Sequence, residues 1–455
     1  MASHHAGARR DRAVRAVVEQ GLLSPADPDR QIVALIDTDG IRASAAALVA
    51  AFAAVTDAPV LHAFAVKACP LVPVLSLLDA CGLGVEVASP GELALARAAG
   101  LPPSRTVLDS PAKTPADLRQ ALALGIAVNA DNLQELARLD ALVASAPTAS
   151  PLGIRVNPQI GAGSIGALST ATATSKFGVA IRDEGARDAV VRAYLDRPWL
   201  TRLHTHTGSQ GIPLALMAEG VATAYELAEE INAKAGRQQI DTLDIGGGLP
   251  VNFTSDEETP TYAGYAGLLA ETVPGLLDGR YGLVTEFGRS LLAKHGTVLA
   301  RVEYTKTAGG RPVAVTHAGV QVATRTVYDP VSWPLRVLAY DSDGRPRTGE
   351  EVVQDVAGPA CFAGDLLATA RPLPLLRADD IVAVPDTGAY YFAHPYAYNS
   401  LPRPAVHGFT VTDDEGGVSF STVRRAQSLA EIVAEAGGEH ADALLDRRPG
   451  GSVEP

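Results

Sequence analysis

Lys67 closes an apolar run, His-Ala-Phe-Ala-Val-Lys-Ala at 62–68. A lysine held by apolar neighbours loses hydration of its ammonium form, so its pKa falls and the free amine can attack an aldehyde. A snorkelling lysine at a strand end would look the same. Further along, Asp-Ile-Gly-Gly-Gly at 244–248 offers three residues without a Cβ, so backbone N–H groups can close on an anion. A tight loop is the plain alternative. Glu286 and Arg289 lie three residues apart. The guanidinium suits a phosphate and the carboxylate suits a protonated ring nitrogen, with a simple salt bridge as the other reading. His204 and His206 are two apart in His-Thr-His-Thr-Gly-Ser-Gln, so a strand would point both the same way. With two histidines and no neighbouring carboxylate, no metal is expected. Stacking of one imidazole on a flat cofactor ring fits better.

These groups need a frame. Eight strand-like runs occur at 61–67, 84–88, 105–108, 126–129, 152–156, 202–206, 242–245 and 282–285, each followed by a segment able to hold a helix. Eight βα units predict a (β/α)8 TIM-type barrel over 41–295. Each run ends in a chemically useful group: Lys67, Glu86 with Ser89, Asp109 with Ser110, Asn129, Asn157, His206, the glycines 246–248, and Glu286 with Arg289. A barrel gathers such strand ends on one face, where sites are built. Beyond 295 the texture changes to shorter strand-like runs, at 296–304, 312–316 and 380–384, which predict a C-terminal β-rich domain over 296–444. Residues 12–40 are expected to pack with that domain. Residues 1–11 and 445–455 read as disordered tails.

A chain of 455 residues, 47% hydrophobic, can bury a large core, and a net charge of −13 argues against nucleic acid or an anionic membrane as partner. Three scattered cysteines form no disulfide framework, and with no signal-like start a cytoplasmic home is expected. The apolar runs are too short to span a membrane.

Taken in order, FAVKA at 64–68, EVASPGEL at 86–93, RVNP at 155–158, SKFG at 175–178 and HTHTGSQ at 204–210 form a pattern. It continues with DIGGGLP at 244–250, EFGR at 286–289, GPACFAGD at 358–365 and GAYYFAHPYAYNSLPRPA at 388–405. This series resembles the fold-type III pyridoxal-phosphate decarboxylases, the ornithine and diaminopimelate decarboxylase family, whose barrel is like that of alanine racemase. The resemblance implies pyridoxal 5'-phosphate as cofactor and decarboxylation of a small amino acid. Lys67 would be the Schiff-base lysine and His206 the ring-stacking histidine. Ser209, Gly247, Gly248, Gly288, Arg289 and Tyr390 would hold the cofactor, chiefly its phosphate, and Glu286 would face the ring nitrogen. It also implies a homodimer with shared active sites, in which Cys361 comes from the partner and helps protonate the carbanion.

Two departures stand out. EFGR carries Phe287 where the family has proline, which implies only a local adjustment. Phe362 stands where those decarboxylases place an acid against the substrate's distal ammonium, so the expected substrate lacks that ammonium and is free or carrier-linked. Arg325 and Tyr328, in ATRTVYDP at 323–330, would then hold a distal carboxylate, with Asp365 also at the substrate. Two other functions remain open on the same barrel: an amino-acid racemase or epimerase, and a non-catalytic cofactor-binding protein. Glu286 and the GPAC-x3-D motif count against the first, and length and Cys361 against the second.

Overall fold

The computed structural model of the chain describes residues 2–412 and 417–445. It opens with helix α1 (Ala2–Glu19), strand β1 (Ile32–Asp37) and helix α2 (Thr38–Ala53). Then come β2 (Val60–Ala65), α3 (Val72–Ala80), β3 (Gly84–Val87), α4 (Pro90–Ala98), β4 (Thr106–Asp109), α5 (Pro115–Leu124), β5 (Ala127–Ala130), α6 (Leu133–Ser145) and β6 (Leu152–Asn157). They are followed by β7 (Val179–Ala180), α7 (Ala186–Leu195), β8 (Leu200–Thr205), α8 (Leu214–Ala235), β9 (Thr242–Asp244), α9 (Tyr262–Thr272), β10 (Gly282–Thr285) and the short α10 (Arg289–Leu292).

Strands pair in the order β5-β4-β3-β2-β10-β9-β8-β6, all parallel, and β5 also pairs with β6, which closes the ring. The eight expected runs are these eight strands. Both of their faces are covered, so they read as continuous apolar stretches rather than alternating ones. The short β7 adds to the β6 edge. One expected boundary shifts: β2 stops at Ala65, and Lys67 sits on the 3-10 turn Val66–Ala68 that follows.

Local chemistry starts the helices. Ser89, Thr114 and Asn132 cap α4, α5 and α6, and proline opens the first two. Ser89, expected among the reactive strand ends, is therefore a helix cap: its Oγ accepts the Glu92 N–H at 3.2 Å.

Inside the ring the two-residue period builds layers. Leu61, Ala63, Val107, Ala127 and Val284 form a small apolar cluster of their own. One period further along each strand the same row becomes polar, at Asp109, Asn129 and Glu286. Glycine makes room for the larger neighbours: a Cβ on Gly153 would come within 2.7 Å of Asn129 Oδ1 and 2.9 Å of Arg202 Cβ.

The second sheet comprises β1, β11 (Gly296–Ala308), β12 (Arg311–Thr316), β13 (Leu338–Tyr340), β14 (Glu351–Ala357), β15 (Leu366–Pro374), β16 (Ile381–Pro385), β17 (Ala405–Val411) and β18 (Val418–Arg424). Its main path is β15-β14-β12-β11-β1-β17-β18, with β16 joining β11 to β13. Helix α11 (Val320–Tyr328) connects β12 to β13. The N-terminal β1 is thus an inner strand between β11 and β17.

The expectation of a loose N-terminal tail over 1–11 is corrected for residues 2–11, which belong to α1. Arg9 donates to Asp37 and Asp39, Arg10 donates to Asp256 at 2.8 and 3.0 Å, and Asp11 accepts from Tyr340 Oη at 2.6 Å. Behind them Ala13, Val14 and Val17 are buried against Leu35, Leu299 and Tyr340. The run looked like a tail because its partners lie far off in sequence. The tail expected over 445–455 lies, beyond Leu445, outside the described residues. Among the described residues no helix is long and apolar enough to cross a membrane.

Candidate active site

Register places the first contact. Ala65 of β2 lies level with Glu86 of β3, so the turn after β2 carries Lys67 over Glu86. Lys67 Nζ donates to Glu86 Oε2 at 2.5 Å; Glu86 is buried, and the lysine side chain keeps 45% exposure. Three backbone contacts hold this turn. Ala65 N–H donates to Phe287 O, Tyr390 N–H donates to Ala68 O at 2.8 Å, and His394 Nε2–H donates to the Lys67 carbonyl at 2.5 Å.

The expected low pKa of Lys67 is corrected. Burial does push the amine down, but the Glu86 carboxylate, with Tyr390 and Glu286 behind it, outweighs burial and holds the ammonium well above its ordinary value. The apolar neighbours read from sequence are real; the acid that faces them across the strands is what the sequence hid.

Behind Lys67 runs a line of alternating charge inside the barrel. Arg155 Nη1 is 3.4 Å from Asp109 Oδ2, the same oxygen is 2.8 Å from His204 Nδ1, and His204 Nε2 is 3.5 Å from Glu286 Oε2. All four residues are buried. The expectation that no carboxylate neighbours the histidines is therefore overturned, since barrel closure brings one to each nitrogen of His204. Asp109, His204 and Glu286 keep one potential ligand atom each within 4.8 Å of one another, the one such group of three among the described residues. Burial would strip the charge from His204, but Asp109, Asp244 and Glu286 overcome it and raise the ring to about 10. Burial raises Glu286 in turn, yet the adjacent His204 cation brings its carboxyl below the ordinary range. A protonated His204 competes with a metal ion for the same carboxylates.

His206, one period beyond His204, is neutral: burial and the charge of Arg155 push it down to about 3. Its Nδ1 accepts the Gly247 N–H at 3.0 Å, which leaves the proton on Nε2 and fixes the ring. The glycine turn proves tighter than expected. A Cβ on Gly247 would lie 2.1 Å from Glu286 O, and one on Gly248, at φ +102°, 1.9 Å from Gly208 O. The glycines make room for protein backbone, and the Gly247 amide is committed to His206. Gly248 lies against the Gly208–Ser209 backbone, so the expected Ser209 and Gly248 are brought together.

Gly288 packs on the lysine turn, its missing Cβ 3.0 Å from Ala68 Cβ and 3.1 Å from Ala65 Cβ. Phe287 points the other way, into an aromatic cluster with Phe52, Tyr262 and Tyr265, so the residue that replaces proline is a core anchor. Arg289 follows, buried, with its guanidinium 4.5 Å from the ring centre of Tyr390 and 4.7 Å from that of Trp333. Arg325 lies over the same two rings at 4.5 and 5.0 Å. Burial, reinforced by the neighbouring Arg325 charge, lowers Arg289 to about 10. Trp333 gave no signal in the sequence, and neither did the Glu86 pairing. His394, in the last motif, could have been found there.

Several buried groups at this face lack hydrogen-bond partners, Arg325 Nη1 and both ring nitrogens of His204 among them. Arg289 Nε and Nη1 have no acceptor, and Glu286 Oε1 has no donor. Unsatisfied buried groups are costly, and here they ask for an anion at one end and a donor such as a ring N–H at the other. Pyridoxal phosphate carries both, so the residues present fit it.

The loop 358–365 is built differently from the expectation. Asp365 is buried and spends both oxygens on backbone, accepting Val320 N–H at 2.6 Å and Ala360 N–H at 2.7 Å. It fixes the loop and is not free to meet substrate. Cys361 is exposed, with its N–H bound to Asn399 Oδ1 at 2.7 Å, and it makes no contact with Lys67 of its own chain. Phe362 stacks on Tyr328, centroids 5.6 Å apart, and abuts Tyr398. Tyr328 is half-exposed, so Arg325 and Tyr328 flank different surfaces: the first joins Arg289 and Tyr390, the second joins Phe362.

The family model for the pyridoxal-binding domain of pyridoxal-dependent decarboxylases matches residues 40–293. A diaminopimelate decarboxylase of Pseudomonas aeruginosa is 33% identical over 84% of this chain and 87% of its own. One from Pseudomonas fluorescens is 34% identical over 83% and 86%. The solved diaminopimelate decarboxylase of M. jannaschii with L-lysine is 22% identical and shares the fold, with a TM-score of 0.80 over 93% of this chain and 94% of that one. With more than half its length matched by the family model and most of it by these relatives, the chain belongs to the pyridoxal-dependent decarboxylases.

Proposed function

We propose that this chain removes the α-carboxylate of an amino acid whose far end is a carboxylate or another acceptor, free or carrier-linked. The observation that carries the substrate half is Arg325, whose Nη1 is buried without a partner beside the Arg289–Tyr390 stack, while Phe362 brings no charge to the loop. Lys67 Nζ would hold the aldehyde carbon of the cofactor, and Arg289, Ser209, Gly248 and Tyr390 its phosphate. His206 would cover one ring face. Glu286 Oε1 would accept the ring N–H and keep that nitrogen protonated. When bound, pyridoxal phosphate supplies the electron sink for the pair left at Cα as carbon dioxide departs.

The chain's own groups do the rest. Glu86 takes the Lys67 ammonium whenever the lysine is free, so a proton store lies 2.5 Å from the amine. Cys361 of a second copy would deliver the proton to Cα, which makes the working unit a homodimer with shared sites; the exposed thiol and the aromatic ring cluster around Phe362 suit such a surface. Arg325 would draw the distal acceptor. Borohydride treatment of the loaded protein followed by peptide mapping tests the first half, and a label on any residue but Lys67 overturns it. A screen of amino acids for carbon dioxide release tests the second. Turnover of ornithine or lysine with acidic amino acids inert would sink the assignment of Arg325.

A further inference from the structure

A neutral imidazole has one N–H and one lone pair. His204 faces a carboxylate oxygen from each ring nitrogen, Asp109 Oδ2 at 2.8 Å on one side and Glu286 Oε2 at 3.5 Å on the other. Neither ring nitrogen has a hydrogen-bond partner of good geometry, so these contacts act through charge, and with the side chain fully buried there is no water to screen them. A carboxylate oxygen close to each ring nitrogen favours the positively charged, doubly protonated ring. Of the other charged groups around it, Asp244 of β9 favours the cation although burial and Glu286 push its own carboxyl up to about 7, Arg155 of β6 is taken up by Asp109, and Arg202 of β8 lies 3.8 Å from Asp244. Lys67, the further cation facing Glu286, is itself engaged by Glu86.

We propose that His204 is a permanently charged positioning residue, an imidazolium between Asp109 and Glu286 that keeps Glu286 ionised and so presents a charged Oε1 to the cofactor's ring nitrogen. This rests on the reading of Glu286 given above. His204 never touches cofactor or substrate. It acts by keeping Glu286 ionised in a barrel that would otherwise protonate it, its positive ring 3.5 Å from Glu286 Oε2. The same motif supplies two histidines with opposite charge states: His204, clamped between acids, is cationic, and His206, beside Arg155 and capped by the Gly247 N–H, is neutral.

The test uses the full-length loaded protein, labelled with nitrogen-15 at its ten histidines, and His204→Gln to assign the signal. His204 should show protons on both ring nitrogens throughout pH 6–9; a single ring proton, or titration inside that window, overturns the proposal. The second readout is the pH profile of kcat. Without the cation, Glu286 ionises only at higher pH, so the acid limb of His204→Gln should move up by roughly one pH unit or more, a loss of about tenfold near pH 6 that recovers towards pH 9, with KM within about twofold. Asp109→Asn should shift the limb the same way by less. A uniform loss at every pH would mean a packing role only and refute the inference. Glu286→Gln separates the two readings: if it stays active, Glu286 is not the ring-nitrogen partner, whereas the ring-proton measurement still decides the charge of His204.

Discussion

Glu86 and Lys67 meet end to end, carboxylate oxygen to ammonium at 2.5 Å, although nineteen positions and helix α3 separate them. The lysine that the chemistry needs as a free amine is therefore held as an ammonium against an acid that burial itself pushes up to about 8. Replacing Glu86 by glutamine removes the anion that keeps Lys67 protonated, so the amine pKa falls, and each unit of fall exposes roughly tenfold more free amine at neutral pH. When pyridoxal phosphate is added to cofactor-free parent and Glu86→Gln protein, the rate at which borohydride-trappable label appears on Lys67, followed against pH, should rise at lower pH in Glu86→Gln than in the parent. An unchanged pH dependence would show that Glu86 does not control the amine.

Arg289 is expected to recognise the phosphate alone. Arg289→Met should weaken pyridoxal phosphate by about 10²-fold, roughly 2–3 kcal/mol, and leave pyridoxal, which has no phosphate, nearly untouched. Equilibrium dialysis with both aldehydes measures the difference. Equal losses for the two would place the phosphate elsewhere.

Asp365 serves the loop and not the substrate, which makes a plain expectation. Asp365→Asn loses one of two charge-assisted acceptors for Val320 and Ala360, so thermal unfolding should report about 1–3 kcal/mol of lost stability. The substrate KM of the folded fraction should stay within about twofold. A large KM change with stability intact would return Asp365 to the binding site.

Phe362→Glu should move preference towards diamino substrates. An unpaired distal ammonium beside a phenyl ring loses an ion pair and its hydration, a penalty of about 10²-fold in selectivity that the new carboxylate removes. Competition between ornithine and an acidic amino acid, read as kcat/KM ratios, gives the answer.

Asp256 binds Arg10 of α1 and Arg336 at once. Burial raises its carboxyl, but the two guanidiniums overcome this and hold it well below the ordinary range. Its contribution is therefore complete above the unfolded value, about 4, and is lost only as pH falls through the lower folded value. Hydrogen exchange at Ala13, Val14 and Val17 should stay slow at mildly acidic pH in the parent, and should quicken at neutral pH in Asp256→Asn. Equal exchange in both would show that Asp256 does not anchor the helix.

The barrel was legible because its strands are buried on both faces and end in polar groups at a period of two: Val107 to Asp109, Ala127 to Asn129 and Val284 to Glu286 announce it. Partners set by closure were not. Nothing local tells that Glu86 will meet Lys67, or that Asp109 and Glu286 will flank His204, because those contacts depend on register between strands. Asp365 was misread because a motif gives a position and not a direction, and its carboxylate turns inward to two amides. The helix over 2–19 was hidden for a related reason, since Arg9, Arg10 and Asp11 look solvated until acids and a tyrosine from other elements come to meet them.

The inner place of β1 has a consequence for how the protein is made. Val33, Leu35 and Ile36 leave the ribosome early, yet their neighbours on β11 and β17 are encoded beyond the whole barrel. At roughly 5–20 residues per second, the apolar strand waits on the order of ten to fifty seconds for its first partner, with both edges open. The barrel is in effect an insertion between two adjacent strands of another sheet. A barrel excised on its own would lose little of its ring, whereas a chain begun after β1 would leave β11 and β17 facing an empty slot. Slow, cool synthesis with ample chaperone should favour this chain more than one whose neighbours in space are also neighbours in sequence.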